Sequence, residues 1–467
     1  VQENIINELR QIIGQENILT DKEDLICYSY DATSYCNLPE VVVIPGSAEE
    51  ISLVLKVANK HGIPVAARGG GTNLCGASIP IKGGIVLAMH RLNKIIEIDG
   101  DNLVATVEAG VNTEKFQQAV EAKGLFYPPD PQSAKMSTMG GNVAQNAGGP
   151  KGFKYGVTRD FVLGMKVVLA DGTILDIGGK TIKNVTGYDL TKFFTGSEGT
   201  LGVIVAVTFR LLPLPEAKKT MLAVFDDLMD GARTISSIVK NKIIPVTLEM
   251  MDQETMGLIE ESKPVGLPTD AAAAILIEVD GSEHEVERQM KKIEKVAREE
   301  GATDVRVART EEEAAKLWEG RKAAFGCMAL SAVTPITEDA TVPRSKLPEM
   351  VKFIKDVAKK YSLSIPVLGH TGDGNLHPII CTDENDLEEM KRVEKAIDEI
   401  FKETLRLGGT LSGEHGIGLA KQKYMELEVG QEGLQLMRQL KKAVDPNNIL
   451  NPGKIFLQET EQINEKT

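Results

Sequence analysis

Three of the six histidines in this 467-residue chain fall in two short motifs. His370-Thr-Gly-Asp-Gly-Asn-Leu-His377 sets an imidazole on either side of a glycine-rich turn, and Ser412-Gly-Glu414-His415-Gly416 places a carboxylate beside a third imidazole. Residue types of this kind, so concentrated, are what divalent-metal binding and proton transfer require. A helix gathers such ligands by the H-E-x-x-H spacing. Here residues 365–368 and 378–381 read as strands, and 371–375 as a turn whose glycines are free to take positive φ. A hairpin of that kind brings His370 and His377 onto one face. Two imidazoles and the Glu414 carboxylate make an open ligand set for a divalent ion, with positions left for water or substrate. His61, His90 and His284 lack such company and are read as structural; His61 closes a helix, where its charge suits the dipole.

The elements around these motifs divide the chain. In the first half, strands alternate with helices and glycine is frequent. Strand 41–44 leads to Ser47, which opens a helix with Glu50 completing a capping box. Ile51, Val54, Leu55 and Ala58 recur at helical spacing, Gly62 ends the helix, and strand 65–67 completes a βαβ unit. Short strands are expected at 84–89, 95–98, 103–108, 162–169 and 203–212. Pro213-Leu-Pro215 marks a boundary. Beyond it the helices are longer and more charged. Two strand–helix–strand units, 272–307 and 334–368, imply an antiparallel sheet backed by helices in the ferredoxin-like manner. A long amphipathic helix at 387–407 then stops at Gly408-Gly409 and delivers the chain to Glu414 and His415.

Composition narrows the function. With 53 basic and 67 acidic residues the formal net charge is −14, which disfavours nucleic acid and gives no purchase on an anionic membrane surface. No apolar run is long enough to span a bilayer, and the N-terminal pattern is an amphipathic helix, not a signal peptide. Five scattered cysteines with no C-x-x-C argue for a reducing compartment and offer no iron–sulfur site, so a cytoplasmic protein is expected.

Arg68-Gly-Gly-Gly-Thr-Asn73 follows a strand directly. Consecutive glycines let backbone N–H groups converge on a phosphate oxygen, although an isolated triplet is as readily a tight structural turn. The spacing fits neither the Rossmann nor the Walker pattern. Two further small-residue segments, Ser137-Thr-Met-Gly-Gly-Asn142 and Gly196-Ser-Glu-Gly-Thr-Leu-Gly202, also lie beside strands and suggest a large cofactor held along its length by backbone.

These three loops, with the closing Asn451-Pro-Gly-Lys454, resemble the FAD-binding domain of the vanillyl-alcohol oxidase/p-cresol methylhydroxylase flavoproteins. The two histidine motifs resemble the branch holding D-lactate dehydrogenases, D-2-hydroxyglutarate dehydrogenase and the glycolate oxidase catalytic subunit. The resemblance implies an α+β architecture. Residues 1–215 form a two-lobed FAD-binding domain, 216–425 a cap domain with the metal site, and 426–467 a segment returning to the flavin domain. It implies FAD on Arg68, Gly69, Gly70, Gly71, Thr72, Asn73, Gly76 and Ala77 of the first loop. The second contributes Pro129, Asp130, Ser133, Ser137, Thr138, Gly140, Gly141, Asn142, Ala144, Asn146 and Gly149; Glu198, Gly199, Gly202, Ile204 and Asn451 complete the set. Some relatives attach FAD through a histidine where this chain has Thr72, so noncovalent FAD is expected.

The chemistry so implied is oxidation of a small D-2-hydroxy acid, D-lactate or glycolate. A divalent ion (Zn, Fe or Mn) on His370, His377 and Glu414 would acidify the hydroxyl, with His415 as base and hydride passing to flavin N5. Abstraction of the α-proton first is the competing route, and His415 serves either. Arg321 resembles the family's substrate arginine, though a helix-surface arginine is its plain local reading; Arg344 is a second choice for the carboxylate. Ile379 beside the second ligand favours a small acid over a diacid. Lacking an iron–sulfur site or a nucleotide fingerprint, the chain is expected to pass electrons to a protein. Electron-transferring flavoprotein is favoured, in a bifurcating assembly or alone. The alternatives are a peroxide-forming oxidase, a glycolate oxidase subunit serving an iron–sulfur partner, a noncatalytic flavin-binding subunit, and a metal-dependent hydrolase.

Overall fold

A computed structural model describes residues 1–457; the last ten positions of the expected C-terminal segment, 458–467, lie outside the described residues. The chain forms two compact units. One comprises Val1–Ala147, Val157–Leu214 and the segment from Glu414 onward; the other comprises Gly148–Gly156 and Pro215–Gly413.

In the first unit, β1 (Ile18–Leu19), β2 (Val41–Val43), β3 (Val65–Arg68) and β4 (Ile85–Ala88) form a sheet in the order β1-β2-β4-β3, with β2, β4 and β3 parallel. The helix Ala48–His61 makes the crossover. Its first turn is capped by the Ser47 hydroxyl, which accepts from the Glu50 N–H at 3.1 Å, and Gly62 closes it at φ 63°. Ile51, Val54, Leu55 and Ala58 are fully buried, and Ile51, Val54 and Leu55 each contribute about 1.5–3 kcal/mol by leaving water. A second sheet is antiparallel, with β5 (Ile95–Asp99), β6 (Val104–Glu108), β8 (Val162–Val168), β9 (Ile174–Gly178) and β10 (Val203–Arg210) in the order β5-β6-β10-β8-β9. A two-residue ribbon pairs β7 (Leu125–Phe126) with β11 (Leu212–Pro213). After the helix Met425–Val444, Leu450 bridges Val65 in parallel, and the Asn451 N–H donates to the Val65 carbonyl at 2.7 Å. The C-terminal segment is thereby stitched to the edge of the first sheet.

The second unit is built on one antiparallel sheet, from β12 (Ala217–Phe225) through β13 (Thr247–Asp252), β14 (Ala273–Gly281), β15 (Asp304–Val307), β16 (Thr334–Thr337), β17 (Ala340–Thr341), β18 (Val367–His370) and β19 (Asn375–Thr382). Its order is β15-β12-β14-β13-β18-β19-β16, with β17 also pairing β19. Strand alternation divides its side chains between two cores. Leu248, Met250, Val367 and Ile380 join the larger, which holds residues of helices Leu228–Lys240, Glu283–Glu299, Leu347–Tyr361 and Leu387–Arg406. Met251, Leu368 and Ile379 join the other, with residues of helices Gln253–Ser262 and Glu311–Ser331. Both expected strand–helix–strand units are present. β12 and β13, both interior strands of the sheet, were not anticipated. Segment Gly148–Gly156 is tied to this unit at Asp280, whose carboxylate pairs with the Lys154 amine and accepts from the Tyr155 hydroxyl at 2.7 Å. Among the described residues, no helix is long and apolar enough to cross a membrane.

Candidate functional site

In the first unit the expected cofactor loops converge through main chain. β3 ends at Arg68, which is buried and donates from Nη1 to the Tyr30 carbonyl at 2.6 Å. Among the described residues, the backbone N–H groups of Gly70, Gly71 and Thr72 donate no hydrogen bond. Orphaned donors in a glycine loop are the physical signature of an anion cradle, and they fit a pyrophosphate. A Cβ on Gly70 would overlap the Met136 carbonyl, so the first loop is pressed against the second. Asn73 holds the first loop's shape, its side chain accepting from the Ala77 N–H and donating to Ser78 Oγ, both at 2.9 Å.

The second loop opens the helix Met139–Gln145, capped by Thr138, with Asn142 donating to Thr113 Oγ1 at 2.8 Å. The third packs on that helix, because the Glu198 N–H donates to the Ala144 carbonyl at 2.8 Å. Asn451 joins the set: its side-chain amide donates to the carbonyls of Ala77 at 2.8 Å and Glu198 at 2.7 Å. The Glu198 carboxylate turns inward and accepts from the N–H groups of Ile417 and Gly418 at 2.7 and 2.8 Å. It is a buried anchor for the returning segment, and burial raises its pKa. Gly140 and Gly202 serve packing: a Cβ there would strike Ala109 and Val167 respectively. Asn146 takes the left-handed C-cap position at φ 53°, and Ile204 lies in β10 opposite Val167. Pro129 accepts from Gln117, Ser133 stabilises the turn leading to Ser137, and Gly149 belongs with the second unit.

In the second unit the register of three strands assembles the histidine site. β18 and β19 pair with Leu368 opposite His377, so His370, two residues along, is a diagonal neighbour of His377 on the same face. The two rings meet edge to face at 5.1 Å. The connecting turn is held by Thr371, whose hydroxyl donates to the Leu248 carbonyl at 2.8 Å, and by Gly374 at φ 90°, where a Cβ would overlap the Val342 carbonyl. On the other side β13 pairs with β18, placing Glu249 directly opposite His370. His370 Nδ1 lies 2.8 and 2.9 Å from the two Glu249 oxygens. Arg321, from the helix over this face, brings Nη2 to 2.7 Å from Glu249 Oε2; all three side chains are buried. Arg321 Nε, also buried, donates no hydrogen bond among the described residues.

The unit ends by contact at Gly413, and the next two residues, covalently attached to it, are Glu414 and His415. Ser412 is anchored by donating to Asp339 Oδ2 at 2.7 Å. Within the second unit, His370 and His377 stand together as two buried imidazoles able to serve as ligands of a divalent ion. The donor chemistry of two imidazoles suits a divalent transition ion or zinc. Arg344 is exposed, its guanidinium lying 4.6 Å from the centre of the Phe153 ring. Ile379 is buried and belongs to the same apolar cluster as Leu368 and Met251.

Glu249 and Asp339 escaped the reading of the sequence. A carboxylate within the apolar strand Val246-Thr-Leu-Glu249-Met-Met was the available signal for the first, since a charge in such a place needs a partner. Asp339 lies in a stretch read as one continuous strand, which the structure divides into β16 and β17.

Comparison with known proteins follows the same division. A family model described as the FAD-binding domain matches residues 39–178, and one described as FAD linked oxidases, C-terminal domain, matches 214–455. Glycolate oxidase subunit GlcD of Bacillus subtilis (strain 168) is 50% identical over 98% of this chain and 97% of its own length. D-lactate dehydrogenase of Archaeoglobus fulgidus is 38% identical over 92% of this chain and 95% of its own. Among solved structures, p-cresol methylhydroxylase with substrate bound superposes with a TM-score of 0.80 at 19% identity, covering 98% of each chain.

Proposed function

The chain belongs to the FAD-linked oxidases, and from that premise we propose that it oxidises a small 2-hydroxy acid, glycolate or D-lactate, to the 2-oxo acid. The observation that carries this reading is the pair of buried imidazoles His370 and His377, brought edge to face by the register of β18 and β19, with His370 held by Glu249. When bound, FAD supplies the hydride acceptor and a divalent ion on that pair supplies polarisation of the hydroxyl and carboxylate oxygens. Gly70, Gly71 and Thr72 hold the pyrophosphate through their N–H groups, and Asn451 keeps two of the cradle's loops together. His415 takes the substrate's hydroxyl proton on an imidazole nitrogen. Arg321, with its buried Nε donor, receives the substrate carboxylate, and Arg344 is the alternative. The names borne by the relatives, glycolate oxidase subunit and D-lactate dehydrogenase, support both the acid class and the two acids named.

Electrons then leave to a protein partner. Electron-transferring flavoprotein remains the first choice, because the chain offers no C-x-x-C and no nucleotide fingerprint. The description of the Bacillus subtilis relative as a subunit favours a second reading, in which the acceptor is a companion subunit of a stable assembly. Anaerobic mixing with glycolate, D-lactate, L-lactate and D-2-hydroxyglutarate tests the reaction. Glycolate or D-lactate bleaches the flavin absorbance within seconds, and loss of the colour with none of the four rejects the reading. Adding purified electron-transferring flavoprotein to the reduced protein tests the acceptor, where reoxidation no faster than by air counts against it.

A further inference from the structure

We infer that Glu249 is a positioning residue that fixes His370 as the tautomer with its proton on Nδ1 and thereby aims Nε2 as the ligating nitrogen. The inference rests on the metal reading above. Both Glu249 oxygens lie within hydrogen-bond distance of His370 Nδ1, at 2.8 and 2.9 Å. A carboxylate has no proton to give, so Nδ1 donates, and in the neutral imidazole that a metal ion requires Nε2 keeps its lone pair. The backbone fixes this contact, since Glu249 and His370 are directly opposed across β13 and β18. The same edge of β13 holds the turn, through Thr371 and through the Gly372 N–H, which donates to the Leu248 carbonyl at 3.2 Å. Arg321 balances the Glu249 charge from the helix above, so the anion is held in the interior by one cation and one imidazole. Such outer carboxylates orient ligating imidazoles and raise their basicity.

A purely structural role for Glu249 is the rival explanation: it would exist only to neutralise the buried Arg321. The two are separated by removing both charges together. In the double variant Glu249→Leu/Arg321→Met, an apolar pair replaces the ion pair and leaves no unmatched charge, so the fold is retained. Full-length FAD-loaded protein is stripped of metal and titrated with Mn²⁺, followed by electron paramagnetic resonance, and with Co²⁺, followed by visible absorption. The double variant, with wild-type FAD content and circular dichroism, binds either ion roughly 10- to 100-fold more weakly than the wild type, with a displaced Co²⁺ spectrum. Glu249→Gln, which keeps a carbonyl oxygen to accept from Nδ1, loses less. Wild-type affinity and an unchanged Co²⁺ spectrum in the double variant would overturn the positioning role and leave the metal reading standing. A wild-type protein that binds neither ion overturns both.

Discussion

The two units present opposite kinds of recognition. In the first, the candidate cradle is main chain: glycine N–H groups, a capped helix start and carbonyls tied together by one asparagine. In the second, the candidate centre is side chain: imidazoles and carboxylates with defined partners at 2.7–2.9 Å. A pyrophosphate is large and its charge is spread, so many weak backbone donors suit it. A transition ion or zinc demands a few strong donors at fixed distance, which oriented imidazoles and carboxylates provide. Damage to the two regions should therefore look different.

The largest effects belong to the side-chain centre. His377→Ala lowers bound metal to under about a tenth of wild type and turnover by roughly 10³-fold or more, several kcal/mol of transition-state stabilisation. His415→Ala lowers turnover by about 10²–10⁴-fold while FAD and metal stay bound. Mass-spectrometric metal analysis with flavin absorbance separates the pair; normal metal content in the first, or normal kcat in the second, breaks the contrast. Gly70→Ala acts on the other side. The added methyl has no room beside the Met136 carbonyl, so FAD occupancy falls below about half, with a stability loss of about 1–3 kcal/mol, while metal affinity is unchanged. Loss of metal together with FAD would mean that the two regions are not independently built.

The smallest effect sharpens the account of the C-terminal segment. Burial lowers the Lys454 amine from its ordinary 10.5 to about 8, with its Nζ against the Ile79 carbonyl. The unfolded chain keeps that proton up to 10.5 and the folded one loses it near 8. Between those values the unfolded state binds more protons, and this group adds stability as pH rises. Lys454→Met removes that increment; urea midpoints measured across the window check it, and an identical slope in the variant contradicts the burial argument.

Much of the second unit's site was legible because it is local. His370 and His377 are joined by a short turn, so strand parity alone brings them to one face. The glycine triplet after β3 was readable only in company with the two other small-residue loops, since alone it is as readily a tight structural turn. Gly140 and Gly202 share the small-residue pattern, and their neighbours Ala109 and Val167 leave no room for a Cβ, a packing requirement that residue type alone does not reveal.

The amino-acid sequence by itself determined the chemical inventory and its local geometry: which residues can bind a cation, which loops can receive phosphate, and where helices start and stop. Those properties follow from residue type and from contacts a few positions apart. Tertiary structure alone decided which distant groups stand behind them. Glu249 meets His370 across 121 positions and Ser412 meets Asp339 across 73. Such partners are set by sheet register and helix packing, and no periodicity within a short stretch of chain encodes them.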